Sequence, residues 1–233
     1  RTHARTHART HARSRSYPSP AFARVAHTLT ASPPTRRCLC TSAGRQRRAE
    51  AAAAAATASA SPTLCFDLGS FGALMTGLEV GALAKQLALC YGYNRSLLRP
   101  FHFAACGLEG AQLVSEALDI HFWDRWVLRR CQEPPWAAYP RATITYLTAD
   151  AEDVLQPDCL GPSSVLVIGG LVDHSNTPGR VGAALRIATA QGVRSARLPI
   201  DDIVRVRKTS LTCLAVVQIL AGYARTGDWV QAV

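Results

Sequence analysis

Thr143-Ile-Thr-Tyr-Leu147, and further along Val165-Leu-Val-Ile168 closed by Gly169-Gly170, are the two stretches that decide the architecture of this chain. Both are short, rich in β-branched and aromatic residues, and bounded by turn formers, so both read as strands. The second is continuously apolar, the pattern of a strand covered on both faces. Beyond it, Gly182 to Gln191 reads as a helix stopped by Gly192, and Ala196-Arg-Leu198 as a short strand. A last helix is expected from Ser210 to about Ala224. Only Gln218 interrupts its apolar run from Cys213 to Ala221, so it needs burial nearly all round. Between the two deciding strands, Ala151 to Leu155 reads as a short helix capped by Asp150.

Toward the N-terminus, Thr76-Gly-Leu-Glu79 has the spacing of a capping box. Val80, Leu83, Ala84 and Leu87 then recur at helical spacing, and Gly92 suits the stop. Pro100 precedes a short strand, FHFAAC, and Gly110 opens a second helix, AQLVSEALD. Pro134-Pro135 and Pro140 break the chain again. Strands alternating with helices predict an α/β fold: a mostly parallel sheet with helices on both faces.

Charge divides the chain in two. Residues 1–63 hold eleven arginines and one acid, Glu50, which accounts for the whole net charge of +10, while residues 64–233 balance fifteen bases with fifteen acids. The opening RTHARTHARTHAR is the Thr-His-Ala-Arg cycle that a repeated four-base unit encodes, so it reads as a translated microsatellite or a gene-model artefact. Ser14 to Arg48 has no acid and is rich in Arg, Ser, Thr and Pro, a composition shared by organelle transit peptides and by disordered arms that touch RNA. Residues 1–63 are therefore read as a disordered, basic, low-complexity arm, and 64–233 as the folded domain. The expected compartment is the nucleus or cytoplasm, with an organelle admitted by the arm. No stretch of about 18 apolar residues is present, so no membrane span is expected. The eight cysteines form no C-x-x-C pair, so neither a zinc ribbon nor any other metal site is expected. Cys90 and Cys106 read as core.

In open parallel sheets, ligands bind beyond the carboxyl ends of the strands. That rule selects three loops: Leu147-Thr-Ala-Asp150; Gly169-Gly-Leu-Val-Asp173-His174-Ser175-Asn176-Thr177; and Leu198-Pro-Ile-Asp-Asp202, which leads into Arg205-Val-Arg207-Lys208-Thr209-Ser210-Leu211. The paired glycines let backbone approach a ligand closely. There is no GxGxxG and no Walker A motif, so a phosphate cradle is not indicated, and no G-x-S-x-G, so a nucleophile-elbow hydrolase is not either.

Tyr146-Leu-Thr-Ala-Asp150, Val167-Ile-Gly-Gly-Leu-Val-Asp-His174, Ala196-Arg-Leu-Pro-Ile200 and Thr226-Gly-Asp-Trp229 together resemble, in order, the tRNA position-9 N1-methyltransferases of the SPOUT class. The upstream residues Asp67-Leu68, Leu74-Met75, Gln86-Leu87, Cys90-Tyr-Gly92 and Asn94-Arg95 resemble the start of that domain. The resemblance covers Leu64 to Val233. It implies a SPOUT fold with a C-terminal trefoil knot, here roughly residues 143–224, and a chain that acts as a monomer on tRNA. It implies S-adenosyl-L-methionine as cofactor, bound by Leu147, Gly169, Asp173, His174, Ser175, Asn176, Thr177, Leu198, Thr209, Ser210 and Leu211. The implied reaction is methylation of N1 of the purine at position 9, guanosine first. Asp173 is the candidate catalytic base, because guanine N1 carries a proton at neutral pH and adenine N1 does not. Arg125, Arg129, Arg130, Arg194, Arg197, Arg205, Arg207 and Lys208 are candidate tRNA phosphate contacts. Thr209, Ser210 and Leu214 depart from the family pattern. The alternative is thus a catalytically silent SPOUT protein that holds tRNA, which cofactor binding would separate from an enzyme.

Overall fold

The structure is a computed structural model that describes residues 61–172, 179–201, 203 and 211–233. Most of the basic arm, residues 1–60, lies outside the described residues. So do Asp173, His174, Ser175, Asn176, Thr177, Arg205, Arg207, Lys208, Thr209 and Ser210 among the expected site residues.

Along the chain the elements are β1 (Thr63–Asp67), α1 (Gly77–Ser96), β2 (His102–Cys106), α2 (Gln112–Asp119), β3 (Arg129–Arg130), α3 (Pro135–Ala138), β4 (Ile144–Leu147), β5 (Val165–Gly169), α4 (Ala183–Gln191), β6 (Arg194–Ala196), α5 (Cys213–Thr226) and α6 (Trp229–Ala232). The strands form one sheet in the order β3-β2-β1-β5-β4-β6, and every described pair is parallel. Asp67 stands opposite Gly169, so β1 and β5 end level.

Alternation along β1 assigns the layers. Leu64 and Phe66 join a core with Val80, Leu83 and Leu87 of α1, Val114 and Leu118 of α2, and Val217 and Leu220 of α5. Cys65 faces the other way, into a core with Tyr146, Val165 and Val167, covered by Ala183 and Ala188 of α4. The sheet is thus covered on both faces, as the continuous apolar run of β5 requires. Cys90 and Cys106 are both fully buried, as small hydrophobes.

The capping box forms: the Glu79 N–H donates to Thr76 Oγ1 at 3.4 Å, and the Thr76 N–H donates to Glu79 Oε2 at 2.7 Å. Trp229 packs on Tyr223 with ring centroids 3.9 Å apart, turning α6 back along α5.

Four expectations need correction. Gly92 does not stop the first helix, which runs on to Ser96. Ala151–Leu155 is not a helix. Its backbone is used across the chain instead: the Leu155 N–H donates to the Arg197 carbonyl and the Arg197 N–H to the Asp153 carbonyl, each at 2.8 Å. Five residues are too few to form a helix without tertiary help, and here the tertiary contacts favour extension. The last strand is Arg194–Ala196 rather than 196–198, because β6 pairs with Thr145 to Leu147 and leaves Leu198 beyond the ladder. The final helix begins at Cys213, where Thr212 Oγ1 accepts from the Ala215 N–H at 3.1 Å, and not at Ser210.

Candidate functional site

Beyond the carboxyl ends of β4 and β5 lies a cavity of about 290 Å³. Leu147, Gly169, Leu198 and Leu211 all line it. Four residues widely separated in sequence therefore share one space, because β4 and β5 end side by side and the chain after β6 turns back over them. The Ile200 N–H donates to the Leu198 carbonyl at 2.8 Å, which makes that turn tight.

Asp150, in the first of the selected loops and expected as a helix cap, lines the cavity; its N–H donates to Thr148 Oγ1 at 3.3 Å in a local turn. Sequence reading missed several other wall residues. Arg180, Val181, Gly182, Ala183 and Ala184 form one continuous wall, Phe71 reaches in from the loop after β1, and Val216 comes from α5. Phe71 carries no functional residue type, and its approach to Gly169 is purely tertiary. A methyl group added at Gly169 would lie 3.0 Å from the Phe71 ring, so glycine is what allows strand and ring to meet.

Behind this floor is a buried polar pair. The Tyr146 hydroxyl donates to Asp67 Oδ2 at 2.8 Å, and the Ser70 N–H donates to Oδ1 at 3.3 Å. Burial pushes the Asp67 carboxyl up, while the hydrogen bonds from Ser70 and Tyr146 pull it back. Tyr146 is pushed well above the phenol range by burial and by the Asp67 charge. The pair fixes the ends of β1 and β4 under the cavity.

The cavity's chemistry is mixed. Leu147, Ile168, Leu198 and Val216 provide apolar wall suited to a flat ring, and Asp150 and Asp201 provide carboxylates suited to hydroxyl or cationic groups. Arg180 and Arg197 bring positive charge to the same space. Among the described residues no group of three His, Cys, Asp or Glu is placed to hold a metal ion, and no helix is long and apolar enough to cross a membrane.

The candidate RNA contacts fall at opposite edges of the sheet. Arg129 and Arg130 lie on β3 and Arg194 on β6, all exposed. Five strand spacings separate those edges, about 24 Å. Arg125 and Arg129 stack over Phe122 and Tyr139, at 5.0 and 4.6 Å from the ring centroids. Arg130 lies over Trp123 and donates to the carbonyls of Trp123 and Trp126, so it also holds its own turn together. Arg197 belongs to the cavity itself.

A six-stranded parallel sheet, helices on both faces and a mixed cavity beyond the strand ends define a small-ligand-binding α/β protein. A profile of the family described as tRNA (guanine(9)-N(1))-methyltransferase TRM10/TRM10A matches residues 6–233. The mouse tRNA methyltransferase 10 homolog B is 32% identical over 180 residues, covering 73% of this chain and 55% of that protein. The chain belongs to this family. It spans about half the length of the curated relatives it matches. The crystal structure of spTrm10(74), 22% identical, superposes with a TM-score of 0.65 over 73% of this chain and 90% of that one. That of full-length spTrm10 in complex with SAH, 23% identical, gives 0.64 over 74% and 91%. Both show that the fold is shared.

Proposed function

We propose that this chain is a methyltransferase that uses S-adenosyl-L-methionine to methylate N1 of the purine at position 9 of tRNA, guanosine first. The observation that carries the reading is that Leu147, Gly169, Leu198 and Leu211 line one cavity in a chain of this family. A family structure in complex with SAH supports the choice of cofactor. The proposed enzyme is a monomer, with the segment of roughly residues 143–224 tied in a trefoil knot.

The residues of the cavity fit such a donor. The leucines and Ile168 suit an adenine ring, and Asp150 and Asp201 suit ribose hydroxyls or the amino group. When bound, the donor supplies a methyl group on a positively charged sulfur. The protein's task is then to seat the base in line with that methyl, keep water out, and take one proton. Asp173, which follows β5 by four residues, is assigned the proton of guanine N1; His174, Ser175, Asn176, Thr177, Thr209 and Ser210 are assigned further cofactor contacts. Exposing a base held in the tRNA core costs a few kcal/mol of unstacking. Arg125, Arg129, Arg130, Arg194 and Arg197, with Arg205, Arg207 and Lys208, are the proposed phosphate contacts that offset it.

The direct test is nucleoside mass spectrometry of tRNA after incubation with the protein and S-adenosylmethionine. N1-methylpurine at position 9 is expected. Unmodified tRNA would remove the enzymatic reading, and tRNA binding without cofactor binding would leave a silent tRNA-holding protein. A second expectation follows from the cavity floor. Gly169→Ala drives a methyl group against the Phe71 ring, which lines the cavity. Calorimetric titration with S-adenosylhomocysteine should show affinity weakened by about tenfold, the equivalent of a modest overpacking cost. Unchanged affinity would place the ligand away from β5.

A further inference from the structure

Glu79 and Arg180 lie 101 residues apart and form an ion pair across the carboxyl edge of the sheet. We infer that this pair is a tether that positions the cavity wall at residues 180–184 for its ligand. The inference rests on the donor binding proposed above.

The geometry is two-pronged. Arg180 Nη2 donates to Glu79 Oε2 at 3.0 Å, and Nη1 donates to Oε1, so the planar fork is used as a unit. Glu79 Oε2 also accepts from the Thr76 N–H and hydroxyl, at 2.7 and 2.9 Å. One carboxylate thus closes the first turn of α1 and grips the cavity wall. The side chains are 7% and 15% exposed. The Arg180 hydrogen bond, and then the Thr76 contacts, hold the Glu79 carboxyl down at about 2. It is therefore ionised throughout the working range, which makes the pair a permanent tie and not a pH switch.

The wall needs such a tie. Gly179 at φ +90° and Gly182 at φ +70° bracket Arg180 and Val181, and glycines in that region leave the backbone permissive. Arg186 of α4 holds this turn from the exposed side, donating to the carbonyls of Gly179 and Val181. Arg180 ties it in the other direction. Nη1 reaches the Val172 carbonyl at 3.4 Å, drawing the chain that leaves β5 toward the chain that enters α4. Glu79 then fastens both to α1, which packs on the opposite face of the sheet from α4. Because Arg180 itself lines the cavity, a shift at the tether is a shift of the wall.

The test uses the full chain and S-adenosylhomocysteine as the titrated probe. Glu79→Gln keeps a side chain able to serve in a capping box but removes the charge. Glu79→Gln and Arg180→Gln should each weaken binding by about tenfold, with the double variant no worse than either alone, as expected for one shared interaction. Thr76→Val removes the cap hydroxyl and leaves the ion pair. It should lower the melting temperature and keep affinity within about twofold. Amide hydrogen exchange at Val181–Ala184 should accelerate in Glu79→Gln and not in Thr76→Val. If Glu79→Gln binds the probe as the parent chain does, the tether is only a stability element and the inference fails, whatever happens to melting or exchange. If the parent chain does not bind the probe, the proposed function fails instead. Exchange at Val181–Ala184 then decides the tether: acceleration in Glu79→Gln supports it, and an unchanged rate overturns it.

Discussion

Gly69→Ala is expected to destabilise the fold by about 3 kcal/mol, the upper end of ordinary overpacking, and to lower the melting temperature by about 6–12 °C. The loops that leave β1 and β2 meet backbone to backbone. A methyl group at Gly69 would sit 2.4 Å from the Gly107 carbonyl oxygen and 3.0 Å from its Cα. Neither side yields easily. The Leu68 N–H donates to the Cys106 carbonyl at 3.0 Å and the Gly107 N–H to the Glu133 carbonyl at 2.8 Å, which pins both loops. Gly107 itself has φ +75°, a conformation that alanine resists. Phe71, two residues on, abuts Gly169, so the displaced loop should also weaken ligand binding. Gly81→Ala is the control of opposite sign. It lies inside α1, exposed, with nothing within 4 Å of the added methyl, and should stabilise by about 0.5–1 kcal/mol. Denaturant unfolding of the two variants reads both signs. A Gly69→Ala chain as stable as its parent would mean that the two loops do not meet as described.

Asp173→Asn carries the largest expected effect on activity. General-base assistance contributes roughly 10²–10⁴-fold to a rate. In the proposed reaction guanine N1 loses its proton to Asp173 as its bond to the methyl forms, whereas adenine N1 attacks with a free lone pair. Initial rates on tRNAs with guanine or adenine at position 9, at saturating cofactor, should therefore separate. Guanine methylation should fall by about that factor, and adenine methylation far less. Asparagine nearly matches aspartate in shape, so loss of packing does not enter. Equal losses on both bases would remove the proton-transfer role and leave Asp173 a group that orients substrate or favours the positively charged sulfur.

Local patterns were legible wherever neighbours in sequence decide the outcome. The Thr76–Glu79 capping box, the helix running on from it, the two deciding strands and the stop at Gly192 all follow from spacing and side-chain chemistry within a few residues. The same patterns failed where a distant partner claimed the backbone. Ala151–Leu155 has a plausible cap and becomes extended because Arg197 takes its hydrogen bonds. Arg194 opens β6 because Thr145 stands beside it. The site was legible in the same proportion. Leu147, Gly169 and Leu198 were found from the rule about strand ends. Phe71 and Arg180 were not, since each enters the cavity from an element whose position depends on the rest of the fold.

The chain's order of apolar runs and breakers determined by itself that this is a parallel α/β domain, because burial of both sheet faces leaves few other ways to hide continuous apolar strands. Its ordered short motifs placed it in a family. Only the tertiary structure decided that Glu79 holds Arg180 and that Gly69 leaves room for Gly107. Those contacts join residues far apart in sequence, and their strength depends on distances of a few ångströms that no local pattern encodes.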